Sequence, residues 1–266
     1  LARPVRQLAQ AAGALASGAY DTPLPQGGGA EMTALSGAFG TMTQAVQARE
    51  EELRAQAQRR QELIDALAHE MRTPLTAILG GARLLQQDGL PQEKRHGVLE
   101  MIAAEAKRLS RMDERLLLLT RMEHEPPQRT AFSSMEMARE ALAAFDGVTL
   151  TGVDAVFTAE RELTILLLRN LVVNAQRAGG AEPVAVDMRA DGFAVTDHGC
   201  GMTQEQIARA FDPFYKGDKA RSRASGGAGL GLTLCRRIAQ LHGGSLTITS
   251  APGAGTTVVY SFDTTP

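Results

Sequence analysis

The stretch LAHEMRTPLTAI, residues 67–78, sets His69, Glu70, Arg72 and Thr73 within about one helical turn and closes on Pro74. Its flanks read as amphipathic helix. At about 100° per residue, Leu67 and Met71 mark the apolar face, and His69 lies roughly 200° round from Leu67, so its imidazole is expected to face solvent. Asp65 and Thr73 sit one turn away on the same face. Pro74 has no N–H, which leaves the carbonyl of Glu70 without its helical partner and lets the helix bend just beyond the histidine. A lone exposed histidine is ordinarily idle. An imidazole whose second nitrogen is held by a carboxylate is a nucleophile suited to neutral pH.

A second constellation lies downstream. LLLRNLVVNAQRAG is apolar almost all round except Asn170, Asn174 and Arg177, which fall at i, i+4 and i+7 and form one polar stripe on a buried helix. Amides satisfied by nearby backbone are the plain alternative. VTDHGCGM then supplies Asp197-x-Gly199-x-Gly201 after a strand. Phe211 and Phe214 follow, then a Gly/Ser-rich loop carrying Lys216, Lys219, Arg221 and Arg223. A solvated charged loop is the plain reading; a flexible basic lid closing on phosphate is the functional one. Gly227, Gly229, Leu230 and Gly231 lead straight into a helix, whose N-terminal amides favour phosphate. With no Gly-Lys-Ser/Thr this is not a Walker loop, and with no strand before it, not a Rossmann turn.

These groups need scaffolding, and the periodicity supplies it. PVRQLAQAAGAL reads as a helix, SGAYDTPLPQGGGA as a connector, and Met32, Leu35, Phe39, Met42 and Val46 as a heptad seam. The seam continues through Leu53, Leu63 and Leu67, with polar Arg49, Gln56 and Arg60 between. That polar middle fits either a register-shifting signal helix or a stretch of solvated charge. A seam needs a partner, which predicts a parallel homodimer. A helical hairpin follows. Leu67, Met71, Leu75, Ile78, Ala82 and Leu85 share one face of its first helix. Gly89 is the stop, Pro91 lies in the first turn of the second helix, and Val98, Ile102, Leu109, Met112, Leu116 and Leu119 form that helix's face. Two such hairpins close a four-helix bundle. After the linker EHEPPQRT the pattern turns mixed. It shows a helix near 160–178, a hairpin joined at Ala190-Asp191, a capping box at Thr203 and Gln206, one more helix and two closing strands. This reads as a sheet covered on one face by helices.

Composition sets the outer limits. The chain has 266 residues, enough for about two ordinary domains. A formal net charge of -2 gives no general reason to seek nucleic acid. Cys200 and Cys235 match no metal spacing and read as reduced thiols. No apolar run approaches a membrane span, and there is no initiator Met.

HEMRTPL resembles the phosphoacceptor box of sensor histidine kinases, and the downstream boxes resemble, in order, that family's nucleotide-binding motifs. The resemblance implies α plus α/β architecture. A parallel coiled-coil HAMP linker (1–52) and a dimeric four-helix bundle (53–125) would precede an α/β sandwich of the Bergerat type (130–266). It implies ATP and Mg²⁺ as cofactors and autophosphorylation on Nε2 of His69. Glu70 would be the base with Asp65 as the alternative, and Thr73 would orient water for dephosphorylating the partner. Asn174 would hold the metal and Asn170, Arg177 and Lys216 would belong to the phosphate site. Asp197 would take the adenine amino group, Gly199 and Gly201 would let backbone approach the base, and Thr256 would lie on the adenine side. Gly227, Gly229, Leu230 and Gly231 would bind nucleotide. The implied partners are a second copy, a response regulator receiver domain and, through an N-terminal transmembrane segment, a bacterial inner membrane. The chain would then be that receptor's cytoplasmic portion. Departures from the pattern are Arg177 and Ala178 after the second asparagine, His198 and Cys200 around Gly199, and Lys216. A nucleotide-sensing pseudokinase or scaffold is the alternative function.

Overall fold

The computed structural model describes residues 2–20, 22–25, 29–215, 217 and 229–262. They form two compact units, Leu1–Asp65 and Ala66–Pro266. The expected residues Lys216, Lys219, Arg221, Arg223 and Gly227 lie outside the described set.

The first unit contains α1 (Ala2–Ala16) and the N-terminal part of α2 (Ala30–Leu85). The connector packs on α2: the Ser36 hydroxyl donates to the carbonyl of Pro25 at 3.2 Å, and a Cβ at Gly40 would stand 3.3 Å from Leu24. Of the predicted seam, Met32 is buried, whereas Leu35, Met42, Val46 and Leu53 are each at least 43% exposed. An apolar row left open on one chain is what a second helix would cover. The polar stretch between is stitched internally. Gln47 donates to Glu51, Gln58 to Glu62 and Gln61 to Asp65, while Arg49 pairs with Glu52 and Arg54 with Glu50. Such i,i+3 and i,i+4 contacts contribute only ~0.2–0.5 kcal/mol each, enough to hold a helix that has no core of its own here.

In the second unit α2 carries on to Leu85 with Pro74 inside it and buried. Proline thus removes one hydrogen bond without ending the helix. The turn to α3 (Gln92–His124) passes through Gly89 at φ +82, and Pro91 is the N-cap rather than a first-turn residue. α2 and α3 approach closely at Gly81, where a Cβ would meet Met101 at 2.8 Å and Ile102 at 3.0 Å. Met71, Leu75, Leu79, Leu99 and Leu117 stay exposed, the apolar residue that a bundle partner would remove from water.

The α/β part orders β1 (Thr130–Ser133), α4 (Ser134–Leu142), β2 (Val148–Gly152), β3 (Val156–Ala159), α5 (Arg161–Ala178), β4 (Val184–Arg189), β5 (Gly192–Asp197), α6 (Gln204–Arg209), α7 (Gly231–Leu241), β6 (Ser245–Ser250) and β7 (Thr256–Ser261). Five strands form a sheet in the order β2-β4-β5-β7-β6, with β2 parallel to β4 and the other neighbours antiparallel. β1 and β3 pair separately. Leu167, Leu168, Leu171 and Val172 of α5 meet Val186, Met188, Phe193 and Tyr260 of the sheet and Leu234 and Ile238 of α7 in one core, and Met122 of α3 joins it. The nucleotide motifs therefore sit on the most deeply anchored elements of the chain.

Candidate functional site

His69 is exposed on α2, as the helical phase predicts, and Thr73 is exposed one turn on. Glu70 is not free beside the ring. Its Oε2 accepts from Nη2 of Arg108 on α3 at 3.2 Å, and its side chain is only 19% exposed. Arg108 also reaches Glu105, so a small charged network holds the Glu70 carboxylate against α3. Asp65, the alternative, accepts from Gln61.

α5 builds the second constellation. Asn170 is buried and Asn174 half-buried, while Arg177 lies exposed toward the helix end. The amide of Asn170 donates to the carbonyl of Leu166 at 2.8 Å, which fixes its oxygen in the opposite direction. That oxygen faces Gly231 at the start of α7, where a Cβ would lie 3.4 Å from Asn170 Oδ1 and 3.5 Å from the Asn174 amide. Both asparagines thus line the N-terminus of α7, whose first amides lack intrahelical partners. Leu230 caps that helix and is fully buried. Gly229 (φ +72) accepts from the backbone of Phe214, itself at φ 61, and a Cβ there would meet Phe214 backbone at 2.7 Å. Buried Phe214 and Gly229 are therefore held against each other.

Asp197 ends β5 with its side chain buried. Burial pushes its carboxyl above the usual range, while the backbone N–H groups of Gly199 and Thr256 pull it back. The Gly199 bond is 2.9 Å long, and Thr256 is its register partner on β7. The glycines have reasons within the chain itself. A Cβ at Gly199 would stand 2.5 Å from the carbonyl of Gly179 at the end of α5, and one at Gly201 (φ +65) would stand 1.9 Å from that of Ala251. The Asp-x-Gly-x-Gly loop is therefore pressed between α5 and the β6–β7 turn. His198 pairs with Glu182 at the rim. Thr256 is buried, its hydroxyl 2.9 Å from that of Ser250.

The structure brings Asn170, Asn174, Gly229, Leu230 and Gly231 to one place, and Asp197, Gly199, Gly201 and Thr256 to another at the far end of α5. Among the described residues no group of three His, Cys, Asp or Glu is placed to hold a metal. With Asn170 Oδ1 accepting from Arg115, the Asn174 side chain offers the hard oxygen donor that suits magnesium carrying water and phosphate. Cys200 and Cys235 are both free thiols. No sequence motif points to Arg108 or to Arg115, whose Nη2 reaches Asn170 Oδ1 at 3.4 Å. Both contacts come from α3 and exist only once the chain has folded back.

Fold and site together define a helical phosphoacceptor-type hairpin carrying an exposed histidine, joined to an α/β domain with a polar nucleotide-type cleft. The comparisons agree with that class. Residues 159–266 match the histidine kinase-, DNA gyrase B- and HSP90-like ATPase model, residues 59–125 the His Kinase A phospho-acceptor domain and residues 1–48 the HAMP domain. The signal transduction histidine-protein kinase AfsQ2 of Streptomyces coelicolor is 29% identical over 277 residues, covering 95% of this chain and 51% of that protein. The sensor-like histidine kinase SenX3 of Mycobacterium tuberculosis is 32% identical over 216 residues, covering 74% and 52%. The histidine kinase AdeS of Acinetobacter baumannii shares the fold, with a TM-score of 0.60 at 19% identity over 74% of this chain and 98% of that one. The chain belongs to the sensor histidine kinases. It spans about half the length of the curated relatives it matches. Among the described residues no helix is long and apolar enough to cross a membrane.

Proposed function

We propose that the chain is an ATP-dependent autokinase that phosphorylates its own His69. The observation that carries this reading is the pairing of an exposed His69, flanked by an oriented Glu70, with Asn170 and Asn174 lined up on the start of α7. Nε2 of His69 attacks the terminal phosphorus of ATP, the bond to the bridging oxygen breaks, and ADP leaves. The proton on the attacked imidazole passes to a carboxylate, for which Glu70 is placed next in sequence. Asp197 takes the amino group of adenine, Thr256 flanks it, and Gly199 and Gly201 shape the loop. Asn174 holds Mg²⁺, with Asn170, Arg177, Lys216, Gly227, Gly229, Leu230 and Gly231 around the phosphates. The ion's chemistry is to draw charge from the phosphoryl oxygens. Transfer of this kind needs mainly positioning and charge stabilisation, which suits a site of amides, helix N-terminus and cations.

The working domain division is 1–52, 53–125 and 130–266. We assign the open heptad row and the open hairpin face to a homodimer. Phosphohistidine then donates to an aspartate on a receiver domain, and Thr73, exposed one turn from His69, orients water for the reverse hydrolysis. The HAMP match over residues 1–48 and the sensor kinase relatives support attachment to a membrane. The test is incubation with Mg²⁺ and γ-labelled ATP. Label should appear on the wild-type chain, vanish in Asn174→Ala, and drain to an added receiver domain. Thr73→Ala should slow loss of label from the receiver and leave autophosphorylation intact. Nucleotide uptake with no label would favour a nucleotide-sensing scaffold instead.

A further inference from the structure

The nucleotide-type cleft has a measurable direction. Gly199 of the Asp197 loop packs against the carbonyls of Ala178 and Gly179 at the end of α5. Asn174 and then Asn170 lie one and two turns back along the same helix. Ala178 to Asn170 is eight residues, or about 12 Å at ~1.5 Å per residue. A nucleotide whose base sits at Asp197 therefore has its phosphates running toward Asn170, with the last of them at that end.

Arg115 of α3 stands at that end. Its Nη2 donates to Asn170 Oδ1 at 3.4 Å, a long bond to a neutral acceptor. Among the described residues Arg115 makes no ion pair, although it is only partly exposed. A guanidinium carries five N–H donors in a planar fork that matches phosphate oxygens. One out of water without an anionic partner is costly. Its surroundings add to the cost, because burial first and then the charge of Arg177, with a further share from Arg111, disfavour its charged form. Glu114 offsets this least of all. Arg111 also bears on Arg177. The positive charges of Arg111 and Arg177 thus both bear on Arg115.

We infer that Arg115 is a positioning residue for the terminal phosphoryl group of the nucleotide, contributed by the hairpin helix to the cleft of the α/β domain. It binds the terminal phosphate oxygens through the donors that Asn170 does not use. This deepens the autokinase reading and rests on it. Because Arg115 is on the helix antiparallel to the one carrying His69, the contact makes triphosphate recognition depend on how the domain docks on the hairpin.

The test is calorimetric titration of Mg-ATP and Mg-ADP into the whole chain and into Arg115→Ala and Arg115→Lys, with circular dichroism melting to check the fold. Arg115→Ala should weaken ATP about tenfold or more, as loss of a charge-assisted contact does, and change ADP much less. Arg115→Lys should recover part of the ATP affinity. Equal losses for both nucleotides, or none, would make the arginine structural and overturn the inference. A gain in ATP affinity would make it a lock on Asn170 and overturn it too. Wild-type chain that takes up neither nucleotide would sink the autokinase reading along with it, whereas ATP uptake untouched by Arg115→Ala sinks this inference alone.

Discussion

Asp197 is the residue on which base recognition rests. Its carboxyl is raised by burial against two restraining N–H bonds. A raised carboxyl takes up its proton at a pH above the usual carboxylate range, so ATP affinity should fall on acidification before ordinary carboxylates titrate. Asp197→Asn should weaken ATP about tenfold or more and flatten that pH dependence; an unchanged pH profile in calorimetry would contradict the role. Gly201 makes a sharper steric prediction. Gly201→Ala meets both a positive φ and a carbonyl at 1.9 Å, whereas Gly147→Ala meets a positive φ with open space around it. The second should cost about 1–2 kcal/mol. The first should cost clearly more, or prevent folding of the loop, measured by denaturant unfolding. Equal costs would mean that the clash relaxes away.

At the scale of elements, α7 and β7 are joined by a buried polar pair. His242 Nδ1 and Tyr260 Oη are 2.8 Å apart, and the other ring nitrogen, Nε2, is buried with no partner among the described residues. Burial, with the charge of Arg129 second, pulls His242 from its ordinary 6.5 down to about 4. A histidine with a lowered folded pKa is held neutral. Its stabilisation is whole above pH 6.5 and is lost as pH falls toward 4, on the order of 3 kcal/mol in all. Thermal melting between pH 7.5 and 4 should show this drop in the wild type and a smaller one in His242→Gln; parallel curves would refute it. Much at this scale was legible in the residues. The α5 stripe, the turn at Ala190-Asp191 and the capping box of Thr203 with Gln206 are all local patterns, and each stands where its pattern puts it. β1, α4, β2 and β3 escape such reading because each is short, nine residues or fewer, and β1 and β2 do not alternate cleanly between buried and exposed positions. Only the fold shows that Asp154 ties β1 to α4 by accepting from Ser133, Ser134 and the N–H of Met135. The arginines of α3 are illegible for the same reason: Arg108 and Arg115 acquire meaning from partners 38 and 55 residues away.

For the whole molecule, the open apolar rows carry the argument. Leu35, Met42, Val46 and Leu53 on one unit, and Met71, Leu75 and Leu79 on the other, each leave large side chains in water on a single chain. Covering one such side chain is worth about 1.5–3 kcal/mol, so Met42→Lys with Leu53→Lys should raise the dimer dissociation constant at least about tenfold per site. Sedimentation velocity at low concentration would then show a monomer where the wild type is a dimer. An unaltered mass would remove the row from the interface. The account as a whole claims that the polar cleft along α5 delivers phosphate to one exposed imidazole. Locating the label after reaction with Mg²⁺ and γ-labelled ATP tests this most directly. The account predicts acid-labile, alkali-stable label confined to the peptide spanning residues 67–78 and absent from His69→Gln. Label that survives His69→Gln, or that resists acid, would contradict it.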